Sequence, residues 1–267
     1  MKNVIAAAAL SLVRSDFAYA NEKRDEAMMK ITPSTLVDAD IHAVSPALAR
    51  FGREAITEDL WTREALSPRD RSIVTVAMLI ARNQPGELKH YIEVALDSGV
   101  TPAEVSEIIT HLAFYSGWPN AMSAVSVTKA IFAARGITAE ALPAASPTLL
   151  PLNEQVEKQR AETVEKNVGP ISPGLVKFTA DPLFLDLWQR PALTPRDRSL
   201  VTVSALIAAG QSAQIGYHLN RAMDNGLSAE EAGEVVAQAA FYAGWPNAFT
   251  AAPVVGEVLR SRESKTE

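Results

Sequence analysis

The sequence of 267 residues repeats itself after 127 positions, and this internal repeat restricts the possible folds more than any other feature. The stretch LSPRDRSIVTVAMLIA, which begins at Leu66, returns as LTPRDRSLVTVSALIA from Leu193. The phrase HLAFYSGWPNA from His111 returns as QAAFYAGWPNA from Gln238, and no gap is needed between the two matches. A repeat of this length predicts two copies of one structural unit.

The two copies are predicted over residues 40–139 and 167–262, with a linker rich in Pro and Ala over residues 140–166. Each copy carries the start and stop signals of helices. Ser67 followed by Pro68 indicates an N-cap and a first helical residue, and the segment TPAE from Thr101 is a capping box. The run SIVTVAMLIA is apolar on nearly every side, so its helix should be buried all round. The sequence therefore predicts an all-α fold.

Composition excludes several classes of function. The formal net charge is −6 and no basic stripe is visible, which argues against a nucleic-acid partner. No apolar run approaches the roughly 20 residues that a membrane span needs. Cys is absent, so disulfides, thiolate metal sites and cysteine nucleophiles are excluded. No HExxH motif or other metal-ligand set is present, and no metal site is predicted.

The first 20 residues, MKNVIAAAALSLVRSDFAYA, have the layout of a secretory signal peptide. A Lys precedes an apolar run, and Ala18-Tyr19-Ala20 forms a small-x-small cleavage site before Asn21. This interpretation predicts a periplasmic or secreted mature protein. The alternative is an N-terminal helix in a cytoplasmic protein, and the layout alone leaves both open.

Three stretches together resemble the carboxymuconolactone decarboxylase family, within the wider alkylhydroperoxidase-like helical superfamily. They are the PRDR helix start, the segment QPGELKHYIEVALDSGVTPAEV with its second copy QSAQIGYHLNRAMDNGLSAEEA, and the aromatic phrase ending in GWPNA. The resemblance implies two compact helical units related by a pseudo-twofold axis. It further implies a homo-oligomer, here a trimer of two-unit chains that imitates a hexamer of single units.

The resemblance also implies an activity. The decarboxylase branch of the superfamily comprises carboxy-lyases that use no metal or organic cofactor and act on a small carboxylated lactone, as in the catabolism of aromatic compounds. The peroxidase branch depends on a Cys-x-x-Cys pair, which this chain replaces by FYSG and FYAG. We therefore expect a decarboxylase acting on a small-molecule lactone or related carboxylate, and not a thiol peroxidase. A non-catalytic binding or assembly module, and a lactone isomerase or hydrolase using the same pocket, remain alternatives.

Decarboxylation needs hydrogen-bond donors for the oxygen that receives the electrons, and an acid that returns a proton to carbon. The family pattern places a His on the third helix, where the second copy has His218 and the first has Tyr91. The aromatic phrase has His111 in the first copy and Gln238 in the second. Glu107 precedes His111 by one helical turn, so we expect it to orient His111 and to raise the pKa of that imidazole.

Further residues are candidates for substrate binding. Arg71 and Arg198 end the PRDR motif and either clamp a substrate carboxylate or pair with a carboxylate of a neighbouring helix. Tyr91, Trp118 and Trp245 are candidates for the pocket wall, although an aromatic residue beside Gly and Pro is more often a packing element.

The two copies either share their pockets or build them separately. A shared arrangement joins the third helix of one copy to the fourth helix of the other, so His218 would meet His111 and Tyr91 would meet Gln238. Separate pockets would pair Tyr91 with His111 and His218 with Gln238. We expect the shared arrangement, because it explains why each copy lost a different His.

Overall fold

The computed structural model describes residues 34–264, and within this range the chain is all-α, without strands, as predicted. The described part of the chain forms twelve α-helices: α1 (Asp38–Val44), α2 (Pro46–Phe51), α3 (Pro68–Ala81), α4 (Pro85–Asp97), α5 (Pro102–Tyr115), α6 (Trp118–Ala134), α7 (Glu154–Val168), α8 (Pro173–Phe178), α9 (Pro195–Ala208), α10 (Ser212–Asp224), α11 (Ala229–Tyr242) and α12 (Trp245–Glu263). None of these helices is both long and apolar enough to cross a membrane. The predicted signal peptide over residues 1–20 lies outside the described residues.

The repeat extends to the irregular elements as well. A π-helix at Gly52–Thr57 and a 3-10 turn at Leu60–Thr62 have counterparts at Thr179–Phe184 and Leu187–Gln189. The chain divides by its internal contacts into a first unit that ends at Glu64 and a second that begins at Ala65. The second unit contains α3 to α12, so the main helices of both repeats belong to one compact body.

Helices α3 and α9, which carry the PRDR motifs, pack against each other in this second unit. Each begins as its sequence predicts, with a hydroxyl cap and Pro at the start: Ser67 accepts from the backbone N–H of Asp70, and Thr194 accepts from that of Asp197. Every residue from Asp70 to Ile80 is buried, which confirms that this helix is surrounded on all sides.

An ionic network joins the N-termini of these two helices. Arg69 donates to Asp197 of the other repeat at 2.8 Å, and Arg196 donates to Asp70 at the same distance. Each guanidinium also reaches the capping-box glutamate of its own repeat at 2.6 Å. Burial alone would lower the pKa of both arginines, but these hydrogen bonds and the carboxylate charges outweigh it and raise the pKa. The contacts are reciprocal: the arginine of each repeat binds the aspartate of the other at the N-termini of α3 and α9.

The repeated GWPN phrase forms the corner between two helices in each copy. Gly117 and Gly244 have φ of 91° and 95°, and the next residue begins α6 or α12. The Asn120 side chain donates to the carbonyl of Ala81 at 3.0 Å, which ties the start of α6 to the end of α3. The phrase therefore recurs because each repeat needs the same glycine corner and the same tie to its central helix.

The Gly117 corner gives a stability prediction. A Cβ on Gly117 would meet only Pro119, at 3.9 Å, so the cost of Gly117→Ala comes from the backbone conformation alone. We expect the free energy of unfolding in urea to fall by about 1–3 kcal/mol. Gly86→Ala is the matched control, since Gly86 is helical and an added methyl group there would have no atom within 4 Å, so Ala should stabilise. Equal effects of the two substitutions would contradict the explanation.

Candidate active site

The structure brings together two histidines from different repeats. His111 on α5 and His218 on α10 both contact the Trp188 indole: the His111 ring lies edge-on at 5.1 Å between centroids, and the His218 ring stacks at 5.8 Å. Tyr115 contacts both imidazoles, at 4.7 Å and 5.4 Å. We call His111, Tyr115, Trp188, His218 and Arg221 the His218 cluster. Its geometry is the shared arrangement, in which the third helix of one repeat meets the fourth helix of the other.

Both ring nitrogens of His111 are used within the protein. Nδ1 accepts from the Arg198 guanidinium at 3.4 Å, and Nε2 lies 2.7 Å from the hydroxyl of Thr202. That hydroxyl donates to the carbonyl of Arg198 at 2.8 Å, so the Nε2–H of a neutral imidazole is the donor to Thr202. His111 is fully buried. It is therefore a structural member of the cluster, without a free nitrogen for a substrate.

Glu107 does not contact His111, and the expectation that it would orient His111 and raise its pKa is wrong. Its carboxylate instead binds two guanidinium groups across the repeats, Arg190 at 2.8 Å and Arg198 at 2.9 Å. The pKa of His111 is lowered well below its ordinary value, first by burial and then by the charges of Arg198, His218 and Arg221. Glu107 and His111 do lie one helical turn apart. The Glu107 carboxylate nevertheless pairs with the two guanidinium groups of the other repeat, and not with the imidazole.

Arg190 also fixes the linker between the repeats. Its two terminal nitrogens donate to the carbonyl oxygens of Ala145 and Ala144, at 2.9 Å and 3.0 Å. The same guanidinium thus holds Glu107 with one edge and the linker backbone with the other. Linker residues are in this way fastened to the wall of the His218 cluster.

Arg71 and Arg198 take the structural alternative of the sequence analysis. Both are fully buried, and each pairs with a carboxylate of a helix from the other repeat: Arg71 with Glu234 at 2.7 Å, and Arg198 with Glu107 at 2.9 Å. A guanidinium in this position has no surface left for a substrate carboxylate. Their role is to bind α3 to α11 and α9 to α5.

His218 differs from His111 because its imidazole makes no hydrogen bond to any described residue. It is 6% exposed, and its Nδ1 is buried without a partner. Burial, together with the charge of Arg221, lowers its pKa to about 4, so the imidazole is neutral at pH 7. The neighbouring Tyr115 hydroxyl accepts from the indole N–H of Trp188 at 2.9 Å, and its own proton has no acceptor among residues 34–264. An imidazole and a phenol with unused hydrogen-bonding capacity thus lie side by side.

The corresponding residues of the opposite repeats form a second group, Arg71, Thr75, Tyr91, Gln238 and Tyr242, which we call the Tyr91 cluster. Gln238 accepts from Arg71 at 3.1 Å and donates to Thr75 at 2.9 Å, which are the same two bonds that His111 makes with Arg198 and Thr202. Tyr91 takes the place of His218, and its hydroxyl bonds that of Tyr242 at 2.7 Å. The two reactive positions of the Tyr91 cluster therefore bind each other.

Comparison with known proteins identifies the family. The family model described as carboxymuconolactone decarboxylase matches residues 46–130 and again residues 173–257. The chain belongs to the carboxymuconolactone decarboxylase family. Its two tandem segments of this family account for the repeat, and the members of the His218 cluster come from both segments.

Two curated relatives are similar to part of the chain. One is 4-carboxymuconolactone decarboxylase of Acinetobacter baylyi, 33% identical over 82 residues, or 31% of this chain and 61% of that protein. The other is nitrosuccinic acid decarboxylase of Metarhizium robertsii, 34% identical over 84 residues, or 30% of this chain and 59% of that protein. The chain thus spans about three fifths of the length of each relative.

A solved structure supports the fold over most of the chain. The crystal structure of a candidate gamma-carboxymuconolactone decarboxylase subunit from Burkholderia xenovorans superposes with a TM-score of 0.53 and 19% identity. The match covers 90% of this chain and 98% of that one. At this level of identity, the likeness establishes the shared family fold.

The remaining sequence candidates, Trp118 and Trp245, lie outside both clusters. They are 59% and 52% exposed, and each contacts a Phe of the preceding helix, Phe114 or Phe241. Each Trp is the first residue of its helix, directly after the glycine corner, and this position directs it to the surface. The structure does not bring them to either cluster, and their role in a pocket wall stays a prediction. Among the described residues, no group of three His, Cys, Asp or Glu side chains is placed to hold a metal ion.

Sequence reasoning missed two members of the His218 cluster. Neither Trp188 nor Arg221 was among the candidates that the sequence offered. A signal for Arg221 did exist, since the repeat offset aligns it with Val94. When one copy has a charged residue and the other has an apolar residue at the aligned position of a helix, the two copies differ in function or in surroundings at that position.

The bonds of His111 and Gln238 predict the outcome of two substitutions. His111→Gln should change the free energy of unfolding by less than about 1 kcal/mol, because Gln238 makes the same acceptor and donor contacts at the matching place. His111→Leu should cost about 2–4 kcal/mol, since Thr202 and Arg198 each lose a buried partner. Urea denaturation measures both. A large loss for His111→Gln would show that the two repeats hold their central arginines differently.

The lowered pKa values predict how stability depends on pH. Below pH 6.5 the unfolded imidazoles take up protons that the folded protein excludes, so the free energy of unfolding should fall as the pH drops toward 4. Each buried histidine contributes a slope of about 1.4 kcal/mol per pH unit. His218→Gln should remove one proton from that slope between pH 5 and 6.5, measured by urea denaturation. An unchanged slope for His218→Gln would contradict the burial of a neutral imidazole.

Proposed function

We propose that the chain is a cofactor-independent decarboxylase, a carbon–carbon lyase, whose active site is the His218 cluster. The observation that carries the proposal is the unused hydrogen-bonding capacity of His218 and Tyr115, in a buried place of a protein from this family. Buried polar groups are normally satisfied, and those that are not commonly serve a ligand. The substrate we propose is a small carboxylated lactone or a related carboxylic acid.

The reaction breaks the bond between the carboxylate and its carbon. Carbon dioxide leaves, and the electron pair of the broken bond passes to a neighbouring carbonyl or nitro oxygen. A proton from solvent then returns to carbon, which balances the reaction. The protein must stabilise the charge that develops on the accepting oxygen, and this requires donors fixed in advance in an environment of low polarity.

His218 and Tyr115 can supply those donors. A neutral imidazole keeps one N–H, and burial holds His218 in that form at pH 7. Burial likewise raises the pKa of the Tyr115 phenol, which keeps its proton. The hydrogen bond from Trp188 to the Tyr115 oxygen leaves the phenolic proton free to point at a substrate oxygen. Glu107 and His111 act as positioning residues, because they hold Arg198 and Thr202 beneath the pair.

The two curated relatives support this chemistry. Their names describe decarboxylation of two different acids, carboxymuconolactone and nitrosuccinic acid. Each acid places the leaving carboxylate where a carbonyl or nitro group can accept the electrons. Each also has a second carboxyl group that decarboxylation leaves in place. A substrate with these two features is what we propose for the present chain.

Among the described residues, the imidazole and the phenol that can serve as such donors belong to the His218 cluster. In the Tyr91 cluster the hydroxyls of Tyr91 and Tyr242 bind each other at 2.7 Å. A tyrosine pair closed in this way offers less to a substrate than His218 beside Tyr115. We therefore propose one active site for each chain, in an assembly of two-unit chains such as the trimer that the family resemblance implies.

The experiment is a decarboxylation assay with 4-carboxymuconolactone and nitrosuccinic acid, in the presence of a metal chelator, with carbon dioxide release as readout. His218→Tyr installs the residue of the other repeat and should lower kcat/KM by about 100-fold or more. Tyr115→Phe should lower it by a factor of about 10–100 through the lost donor.

Two controls accompany the assay. His42→Gln changes an exposed histidine of α1 and should leave the rate unchanged. His111→Gln should retain most activity, because it preserves the bonds to Arg198 and Thr202. Wild-type protein that releases no carbon dioxide from either acid would argue for a non-catalytic binding module. Full activity in His218→Tyr would place the site elsewhere.

A further inference from the structure

Arg221 carries the guanidinium of the His218 cluster, and this guanidinium has no anionic partner among residues 34–264. Its guanidinium carbon lies 4.1 Å from the centroid of the Trp188 ring, on which the His218 imidazole also stacks. Phe184 is the next aromatic ring, at 6.0 Å. The cation is thus held beside the imidazole that we place in the active site.

The other two guanidinium groups of this region are paired. Arg190 and Arg198 share the carboxylate of Glu107, and Arg190 also lies 3.8 Å from the exposed Asp186. The guanidinium of Arg221 forms no ion pair or hydrogen bond with any residue of the described range 34–264. With both imidazoles neutral, three guanidinium groups face two carboxylates, and the region has an excess positive charge at Arg221.

The position of Arg221 is not explained by the helix that carries it. The repeat offset aligns Arg221 with Val94, which is 6% exposed on α4, so an apolar residue fits this place in the fold. A lone arginine on a solvated surface would need no partner, but the Arg221 side chain is partly buried and its head lies on an indole face. A cation that is partly removed from water in this way attracts an anion strongly.

We propose that Arg221 is the residue that binds the carboxylate that the substrate retains, and that it thereby determines which acids the site accepts. The proposal rests on the proposed function. A cation paired with the leaving carboxylate would stabilise the ground state more than the transition state, and would slow its loss. A cation paired with the retained carboxylate has no such cost, and it positions the scissile bond against His218 and Tyr115.

A binding experiment tests the anchor without requiring turnover. Succinate serves as an unreactive dicarboxylate and succinamide as its neutral analogue, with the imidazole NMR signals of His218 as the readout. Succinate should shift these signals saturably at constant ionic strength, whereas succinamide should not. Arg221→Val, which installs the residue of the other repeat, should raise the dissociation constant of succinate at least tenfold. Arg221→Lys should bind with intermediate strength, because it keeps the charge and loses the planar fork.

The control is Arg135→Val, which removes an arginine paired with Asp97 outside the cluster and should leave succinate binding unchanged. Wild-type binding of succinate that survives in Arg221→Val would overturn the proposal, as would the absence of any succinate-dependent shift in the wild type. Arg221→Gln, with a shorter and uncharged polar side chain, provides the same test if Arg221→Val does not fold.

A kinetic experiment separates this proposal from the proposed function. With a dicarboxylic substrate, Arg221→Val should raise KM at least tenfold and change kcat less. With the analogue in which the retained carboxylate is an amide, wild type and Arg221→Val should have equal kcat/KM. Succinate binding that depends on Arg221 in a protein without decarboxylase activity would retain the anchor and reject the reaction. Decarboxylation that is indifferent to Arg221 would retain the reaction and reject the anchor.

Discussion

Two buried ion pairs between the repeats determine the rest of the structure. Arg198 with Glu107, and Arg71 with Glu234, each join the central helix of one repeat to the fourth helix of the other. Removing one partner of a buried pair leaves an uncompensated charge, at a cost of about 3–5 kcal/mol. Neither repeat can therefore keep its own central arginine satisfied. The fold of each copy depends on the other, which is why the contact pattern places α3 to α12 in one unit.

These pairs also place the active-site candidates. Arg198 donates to His111 and accepts from Thr202 at its carbonyl, which fixes the imidazole beneath Trp188 and Tyr115. His218 reaches the same aromatic residues from α10 of the other repeat. A single buried cation thus fixes the position of His111 within the cluster.

Local signals predicted the fold well, because the forces that start and end helices act over a few residues. The caps at Ser67 and Thr194, the capping box at Thr101 and the glycine corner at Gly117 were all legible in the sequence. The sequence also predicted the register of the third helix. Tyr91 and His218 are both buried at matching positions, as the family pattern indicated.

The ion pairs between the two repeats could not be predicted from the sequence in this way. The spacing along α5 predicted that Glu107 orients His111. No local sequence pattern indicates that Arg190 and Arg198 of the other repeat bind the Glu107 carboxylate. The divergence of His111 and Gln238 looked like the loss of a catalytic group. In the structure the two side chains are equivalent. A neutral imidazole and a carboxamide each offer one acceptor to the central arginine and one donor to the threonine at the matching positions of the two repeats. Chemical identity along the chain is a weaker guide here than the set of bonds a position must make.

The hold of Arg190 on Ala144 and Ala145 bears on the symmetry of the molecule. Two separate chains of one unit each could meet about an exact twofold axis, and their two pockets would then be identical by necessity. A fused chain has a single connection, and Arg190 holds that connection on the side of the molecule where it also binds Glu107. Symmetry was thus broken by the covalent joining itself, before any side chain had changed. Once the surroundings differ, the two clusters are no longer bound to be identical, and a substitution in one repeat has no symmetric counterpart that must accompany it.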